Sequence, residues 1–235
     1  MAAVLEVFEA RRVPFALHFT PSESLMVRDS ASADGEVAPS RFRPDNTNLG
    51  TLVRILEAWY AAEPYVLRQA YAGQDGSRVK VFAAPGAELH RVDAGAASVE
   101  WRITEQQRQH LGYPVTVAVG EAEGEQIEAW FAPDIPVSGG PALYGGLPGM
   151  ILVLSLNGGM TTYAATEVSL DGVEEGTIRP PEVGEATSAE EYRAVIAGRI
   201  GEVTRLIRGM VRTYRNVECA VGLPGGAMQC NQVRE

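Results

Sequence analysis

Apolar and polar residues alternate along most of the first three quarters of the chain, which is the period of a half-buried β-strand. In residues 13–20, for example, Phe15, Leu17 and Phe19 fall on one face. The same pattern recurs in VPFALHFT, SLMVR, YVLRQAY, RVKVF, SVEWRIT, PVTVAVGE, QIEAWFA, MILVLSL and TYAATEVSL. Short turn-rich pieces separate several of these stretches, as is typical of antiparallel neighbours. The pattern therefore predicts a mainly β fold of the α+β class, a curved antiparallel sheet or open barrel of about nine strands.

Two segments show helical periodicity instead. Residues 49–62 place apolar side chains at helical spacing and predict one short helix inserted between strands. A long C-terminal helix is predicted from Ser188, a favoured N-cap residue that is followed by two glutamates. Its apolar seam recurs at alternating spacings of four and three and comprises Ile196, Ile200, Val203, Ile207, Met210 and Tyr214. Such a seam packs either on the chain's own sheet or against a partner helix.

Four arginines form a second stripe on the same predicted helix. They are Arg205, Arg208, Arg212 and Arg215. One interpretation is a face that docks a partner protein. The other is an ordinary solvated face, favoured because cations are stabilised near a helix C-terminus. The sequence leaves both open.

Composition narrows the classes of function. The chain of 235 residues has a formal net charge of −10, which argues against nucleic-acid binding because that needs clustered basic side chains. No apolar run reaches the roughly 18 to 20 residues of a membrane span, so none is predicted. We expect a single sheet domain with its helix over residues 1–216 and a separate tail rich in glycine and proline over residues 217–235.

The two cysteines, Cys219 and Cys230, both lie in that tail. The short glycine-containing segment between them permits a disulfide, which would persist only in an oxidising compartment. The alternative is two unrelated thiols. A metal site is not predicted, because two thiolates need further ligands and the three histidines are scattered along the chain. No cofactor is expected either.

Residues 130–150 read WFAPDIPVSGGPALYGGLPGM and form the most distinctive stretch of the chain. Proline withholds backbone donors, so no regular central strand can run through residues 133–149. Glycine permits close backbone approach, and the interspersed apolar side chains can anchor a shaped loop. Two interpretations follow, a rigid crossover between antiparallel strands or a rim that closes over a pocket or presents backbone groups to a peptide.

The region from Trp101 to Leu152 resembles the GLPGLI family, whose six-residue motif stands here as GLPGMI at residues 146–151. The resemblance rests on Trp101, Ile103, Gly112, Tyr113, Ala118, Ala129, Trp130, Phe131, Pro133, Ile135, Pro136, Val137, Gly140, Pro141, Tyr144, Gly146, Leu147, Pro148, Gly149, Ile151 and Leu152. Two departures are Met150 for the usual leucine and Val115 where members often have cysteine. The family comprises exported proteins of unknown function, mainly from Bacteroidota-type bacteria. The resemblance thus implies a periplasmic or extracellular protein, with a signal peptide upstream of Ala2.

Catalytic patterns are sparse. Ser138 lacks the context of a nucleophile elbow, and the glutamates around residues 121–128 are typical of a charged turn. Asp134 is expected to order its loop through backbone N–H groups. The candidate ligand-binding or loop-forming residues are Trp130, Phe131, Asp134, Tyr144, Gly146, Leu147, Pro148 and Gly149.

Three hypotheses of function remain. The first is a non-catalytic envelope protein that binds an apolar small molecule, lipid or peptide on a curved sheet. The second is an assembly protein that docks an envelope partner through its C-terminal helix. The third is a hydrolytic enzyme, which the sequence supports least.

Overall fold

The fold is given by a computed structural model that describes residues 13–29, 40–42, 50, 66–84, 88–95, 99–122, 125–159, 161–213, 217–221 and 228–232. The strands within these ranges are β1 (Phe15–Phe19), β2 (Ser24–Arg28), β3 (Ser40–Phe42), β4 (Leu67–Ala72), β5 (Arg78–Ala83), β6 (Leu89–Asp93), β7 (Arg102–His110), β8 (Tyr113–Ala122), β9 (Glu125–Ala132), β10 (Met150–Leu156), β11 (Thr161–Ala164), β12 (Glu185–Thr187), β13 (Val217–Val221) and β14 (Met228–Gln232). One long helix, α1, spans Ala189–Thr213. The helix predicted at residues 49–62 lies outside the described residues.

The strands form three sheets. The first has the order β1-β2-β4-β5-β6-β12, the second β11-β10-β9-β8-β7 and the third β14-β13-β3. Every pairing is antiparallel except that of β12 with β6, which is parallel. The predicted mainly β fold with a long C-terminal helix is confirmed, as open sheets that do not close into a barrel.

Each of the nine predicted stretches contains a strand. Two are displaced, because β7 begins at Arg102 and β11 ends at Ala164, before the second half of its predicted stretch. Five further strands were not predicted from the sequence, and these are β3, β6, β12, β13 and β14. Two of these have only three residues, too few to display a period. In β6, the sequence LHRVD puts a polar residue on each face, which hides the alternation.

The main core lies between the first two sheets. Met26 and Ala70 from the first sheet join Phe131 and Leu154 from the second in one buried cluster. A second cluster, around Val115 and Leu152, covers the other face of the second sheet. Strand β10 is buried on both faces over its first five residues, which explains its continuous run of apolar side chains.

Helix α1 begins with a reciprocal cap. The Ser188 hydroxyl accepts a hydrogen bond from the Glu191 N–H at 3.1 Å, and the Glu191 carboxylate accepts one from the Ser188 N–H at 2.8 Å. This capping box confirms Ser188 as the N-cap. Behind it, the Tyr192 ring stacks on Phe82 with centroids 4.8 Å apart.

The apolar seam of α1 faces the rest of the protein. Ile196 and Ile207 are buried, and Ile200, Val203 and Met210 are half-buried. Tyr214 lies outside the described residues. Most of the apolar surface predicted on this helix is therefore used within the chain.

Removing the cap is expected to weaken the helix. Ser188→Ala should lower the free energy of unfolding by about 1 kcal/mol, because it leaves a helix N–H group without its acceptor. Chemical denaturation measures this. Ser169→Ala, in an exposed loop, is the control and should leave the midpoint unchanged.

The cap also gives the helix an acid-sensitive end. Hydrogen bonds from the Ser188 backbone and hydroxyl lower the pKa of Glu191 below its ordinary value. Because the folded pKa lies below the unfolded one, the carboxylate's contribution is complete above the unfolded pKa and is lost as the pH falls through the folded pKa. Glu191→Gln should remove this part of the acid dependence. An unchanged profile of helical circular dichroism against pH would contradict the assignment.

The C-terminal tail pairs with the N-terminal part of the chain, since β13 lies between β14 and β3. Its register places Cys219 directly opposite Cys230 across an antiparallel pair. Opposed positions of this kind have Cα atoms about 4.5 to 5.5 Å apart, which is within the range of disulfides. The side chains themselves lie outside the described set, so the bond stays a prediction.

Candidate functional site

The loop of residues 133–149 connects β9 to β10 and is tied down by backbone hydrogen bonds. The Ile135 N–H donates to the Ala132 carbonyl at 3.1 Å, closing a turn directly after β9. At the other end, the N–H of Met150 donates to Ile135 at 3.0 Å, and that of Ile151 donates to Gly139 at 2.9 Å. These bonds replace the sheet pairing that the four prolines exclude. The loop is thus an ordered connection between two neighbouring antiparallel strands.

The middle of the loop has a left-handed backbone at two consecutive residues. Ala142 has φ 52° and Leu143 has φ 70°, and both residues are buried. Such a conformation costs free energy for a residue with a side chain and persists only when the surroundings hold it. Here the Arg78 guanidinium donates to the Leu143 carbonyl, and the Ala142 N–H contacts the Met26 sulfur at 3.2 Å. Residues from the first sheet therefore fix the loop.

The second half of the loop is held by two more side chains. The Trp101 indole donates to the Gly145 carbonyl at 2.8 Å. The Ser138 hydroxyl accepts a hydrogen bond from the Gly146 N–H at 3.0 Å. Gly146 has φ 92°, a conformation that favours glycine.

A cleft of about 350 Å³ lies between this loop and the ends of strands β2, β4 and β5 in the first sheet. We call it the motif cleft. Ser24, Ala72 and Arg78 border it on the sheet side. On the loop side it is lined by Ser138, Gly139, Gly140, Leu143, Tyr144, Gly145 and Gly146. Of the four glycines, Gly146 is exposed, Gly139 and Gly145 are half-buried and Gly140 is buried. The two serines add hydroxyl groups.

Arg78 is the charged group of the motif cleft and is half-buried. Burial lowers the pKa of its guanidinium below the ordinary arginine value. Its Nε atom is buried and has no hydrogen-bond partner in the described part of the chain. Nearby, the Lys80 ammonium lies 6.0 Å from the centroid of the Tyr144 ring. The electrostatic character of the cleft is therefore cationic.

The eight residues predicted as ligand-binding or loop-forming lie in different places in the structure. Only Tyr144 and Gly146 line the motif cleft. Phe131, Leu147 and Gly149 are buried beneath the loop.

The other three lie elsewhere. Trp130 packs on the opposite face of its sheet, where the Arg108 guanidinium lies 4.5 Å from its ring. Pro148 and Asp134 are exposed. The prediction that Asp134 orders the loop is wrong for the described residues, because no hydrogen bond joins its side chain to them; the loop is closed instead by backbone bonds of Ile135 and Ile151.

The arginine stripe of α1 is exposed at Arg205, Arg208 and Arg212, and Arg215 lies outside the described residues. Arg205 donates to the Gly201 carbonyl of its own helix at 3.3 Å. A role in docking a partner stays a prediction.

The described lining of the motif cleft offers two serine hydroxyls and one guanidinium. Ser138 has no histidine or carboxylate bonded to its hydroxyl among the described residues, so the structure shows no activated nucleophile there. Within the same ranges, no three side chains of the histidine, cysteine, aspartate and glutamate types are grouped to hold a metal ion. Nor does any helix there have an apolar stretch of the length that crossing a membrane requires.

The sequence did not indicate Arg78 or Ser24 as site residues, and it indicated no contact between Trp101 and the loop. Arg78 begins β5 after a turn, and nothing in the local pattern distinguishes it from a solvated strand end. Its partner Leu143 lies 65 residues away in the chain. Only the packing of the loop on the first sheet brings the two together.

Comparisons with known proteins agree with this description at the level of the fold. The model of a family described as "Protein of unknown function (Porph_ging)" matches residues 94–153. This match covers about a quarter of the chain and includes β7 to β9, the loop and the start of β10. The GLPGLI name stays a prediction. No curated protein matches the chain.

Two solved structures are similar to this chain, and both are of PNGF-II, in the P21 and C2 space groups. Each has a TM-score of 0.51 and 16% sequence identity, and the alignment covers 80% of this chain and 30% of PNGF-II. At this identity the likeness concerns the fold alone. The aligned part thus spans about a third of PNGF-II, a much longer chain.

Proposed function

We propose that this protein is a non-catalytic binding protein of the bacterial envelope that holds a short extended peptide in the motif cleft. The supporting observation is the lining of that cleft, where the exposed Gly146 and the half-buried Gly139 and Gly145 present loop backbone beside Ser24 and Ser138. A peptide main chain is recognised by such groups, since it carries both donors and acceptors. The volume of about 350 Å³ is within the range of small ligand sites.

A peptide fits better than a lipid or another apolar molecule. Two clefts among the described residues, the motif cleft and one beside it, are lined by arginine and serine residues. An apolar ligand needs a predominantly apolar lining, because burying these polar groups without partners costs free energy.

A site on the loop also fits better than docking through α1. The apolar seam that would drive helix association is turned inward at Ile196 and Ile207. The exposed arginines alone supply modest, salt-screened attraction.

Peptide retention tests the proposal. Immobilised protein is given an equimolar mixture of random N-acetylated tripeptides, and the retained peptides are quantified by mass spectrometry. Ser24→Tyr places a large side chain in the motif cleft and should abolish retention. Ser22→Tyr is the matched control, because Ser22 is exposed and does not line the cleft. Equal retention by wild type and Ser24→Tyr would refute peptide binding at this site.

The envelope location rests on the family resemblance and on the opposed cysteines of the tail. In protein taken directly from its native cells, Cys219 and Cys230 should resist alkylation until a reductant is added, because a disulfide persists only outside the reducing cytosol. Mass spectrometry before and after reduction measures this. Full alkylation without reductant would contradict the location.

A further inference from the structure

Arg78 has a charge that the described structure does not balance. Its guanidinium donates to the neutral Leu143 carbonyl, and no carboxylate of the described residues forms a salt bridge with it. Its Nε atom is buried without a partner in the same ranges. Burying a charge without a counter-ion costs free energy, and an anion that entered the cleft would offset that cost.

The rest of the motif cleft suits such an anion. None of the described residues in its lining is an aspartate or a glutamate. The Ser138 hydroxyl accepts from the Gly146 N–H and keeps its own hydrogen to donate. The Ser24 hydroxyl lines the opposite side and adds a further donor. A positive group and two hydroxyl donors therefore border the same space.

The charge favours a carboxylate over a more highly charged group. Among the described residues that line the motif cleft, Arg78 is the only cation. A singly charged carboxylate matches one guanidinium, whose planar fork presents parallel N–H donors. A phosphate with nearly two negative charges would leave part of its charge unbalanced.

A second cleft, of about 400 Å³, shares Arg78 with the first. It also contains Arg91, Asp93 and the Ser188 hydroxyl. The Asp93 carboxylate already accepts a hydrogen bond from the Gly95 N–H, and Arg91 donates to the Glu182 carbonyl at 3.0 Å. Because this second cleft contains a carboxylate of its own, it is less suited to an anion.

We propose that the motif cleft recognises the C-terminal carboxylate of its peptide, with Arg78 as the counter-ion and the Ser24 and Ser138 hydroxyls as donors. This inference rests on the proposed function and specifies its ligand. The glycines of the loop then contact the main chain that precedes the carboxylate.

Three pools of N-acetylated tripeptides test it on immobilised protein. The first pool has a free C-terminal carboxylate, the second is amidated, and both lack acidic side chains; the third is amidated and carries one aspartate. The first pool should be retained at least about tenfold more than the second, as expected for hydrogen bonds to a charged group. Retention of the third pool at the level of the first would overturn recognition of the C-terminal carboxylate in particular, because a side-chain carboxylate would then serve equally well.

Variants separate recognition from structure. Arg78→Gln should reduce the ratio of first-pool to second-pool retention to about one. A purely structural loss would lower both pools together and leave the ratio unchanged. Arg91→Gln is the matched control, since Arg91 lines only the second cleft, and it should keep the wild-type ratio.

The outcomes distinguish the two proposals. Equal retention of the first two pools by wild type, abolished by Ser24→Tyr, would overturn carboxylate recognition and leave peptide binding intact. An unchanged ratio in Arg78→Gln would overturn the role of Arg78. No retention of any pool would overturn both.

Discussion

Leu147→Ala should lower the free energy of unfolding by roughly 2 to 5 kcal/mol. Leu147 is 2% exposed and belongs to the main core cluster with Phe131 and Ile151. Truncation removes buried apolar contacts and leaves a cavity, because the loop around it is fixed by backbone hydrogen bonds. Chemical denaturation monitored by circular dichroism measures the change.

Leu170→Ala is the matched control. Leu170 is 57% exposed, so the same truncation there should change stability by no more than about 0.5 kcal/mol. An unchanged midpoint for Leu147→Ala, together with lost peptide retention, would mean that the motif is a recognition surface and not part of the core.

Gly149→Ala should cost about 1 to 3 kcal/mol, and Gly149→Val at least as much. A Cβ at this position would overlap the Ala132 carbonyl oxygen and lie 2.7 Å from the carbonyl carbon. Both are backbone atoms, so relief requires the loop to move away from the end of β9. The strain arises from this close approach, whereas Gly146 is the motif glycine with a positive φ.

A glycine in α1 provides the comparison for Gly149. Gly198 is exposed, and a Cβ there meets no atom within 4 Å. Gly198→Ala should therefore stabilise the protein by about 0.5 to 1 kcal/mol, because alanine is the better helix former. If Gly149→Ala lost no more stability than a typical substitution at an exposed position, the close approach of Gly149 to the Ala132 backbone would not restrict the residue at position 149.

Some features of the motif loop were predictable from the sequence. The prolines predicted correctly that no strand runs through residues 133–149, because proline has no backbone donor. The apolar side chains predicted to anchor the loop include Phe131 and Leu147, and both are buried. The adjacent Trp130 is half-buried and packs against the second core cluster, because neighbouring strand residues point to opposite faces of a sheet.

The sequence by itself determined the features that depend on neighbouring residues. Alternation placed nine of the strands, and Ser188 with Glu191 three residues later specified the start of α1. In each case the interacting groups lie within one strand or one helical turn, so their spacing in the chain reports the structure directly.

Only the tertiary structure decided which distant segments meet. Strand period does not specify strand order, so the parallel pairing of β12 with β6 and the pairing of β13 with β3 were not predictable. The motif cleft depends on the same information. Arg78 reaches Leu143 across 65 residues, and Trp101 reaches Gly145 across 44, because the loop packs against the first sheet on one side and the Trp101 segment on the other. The charge in the cleft is thus a consequence of packing, which the local pattern around Arg78 does not encode.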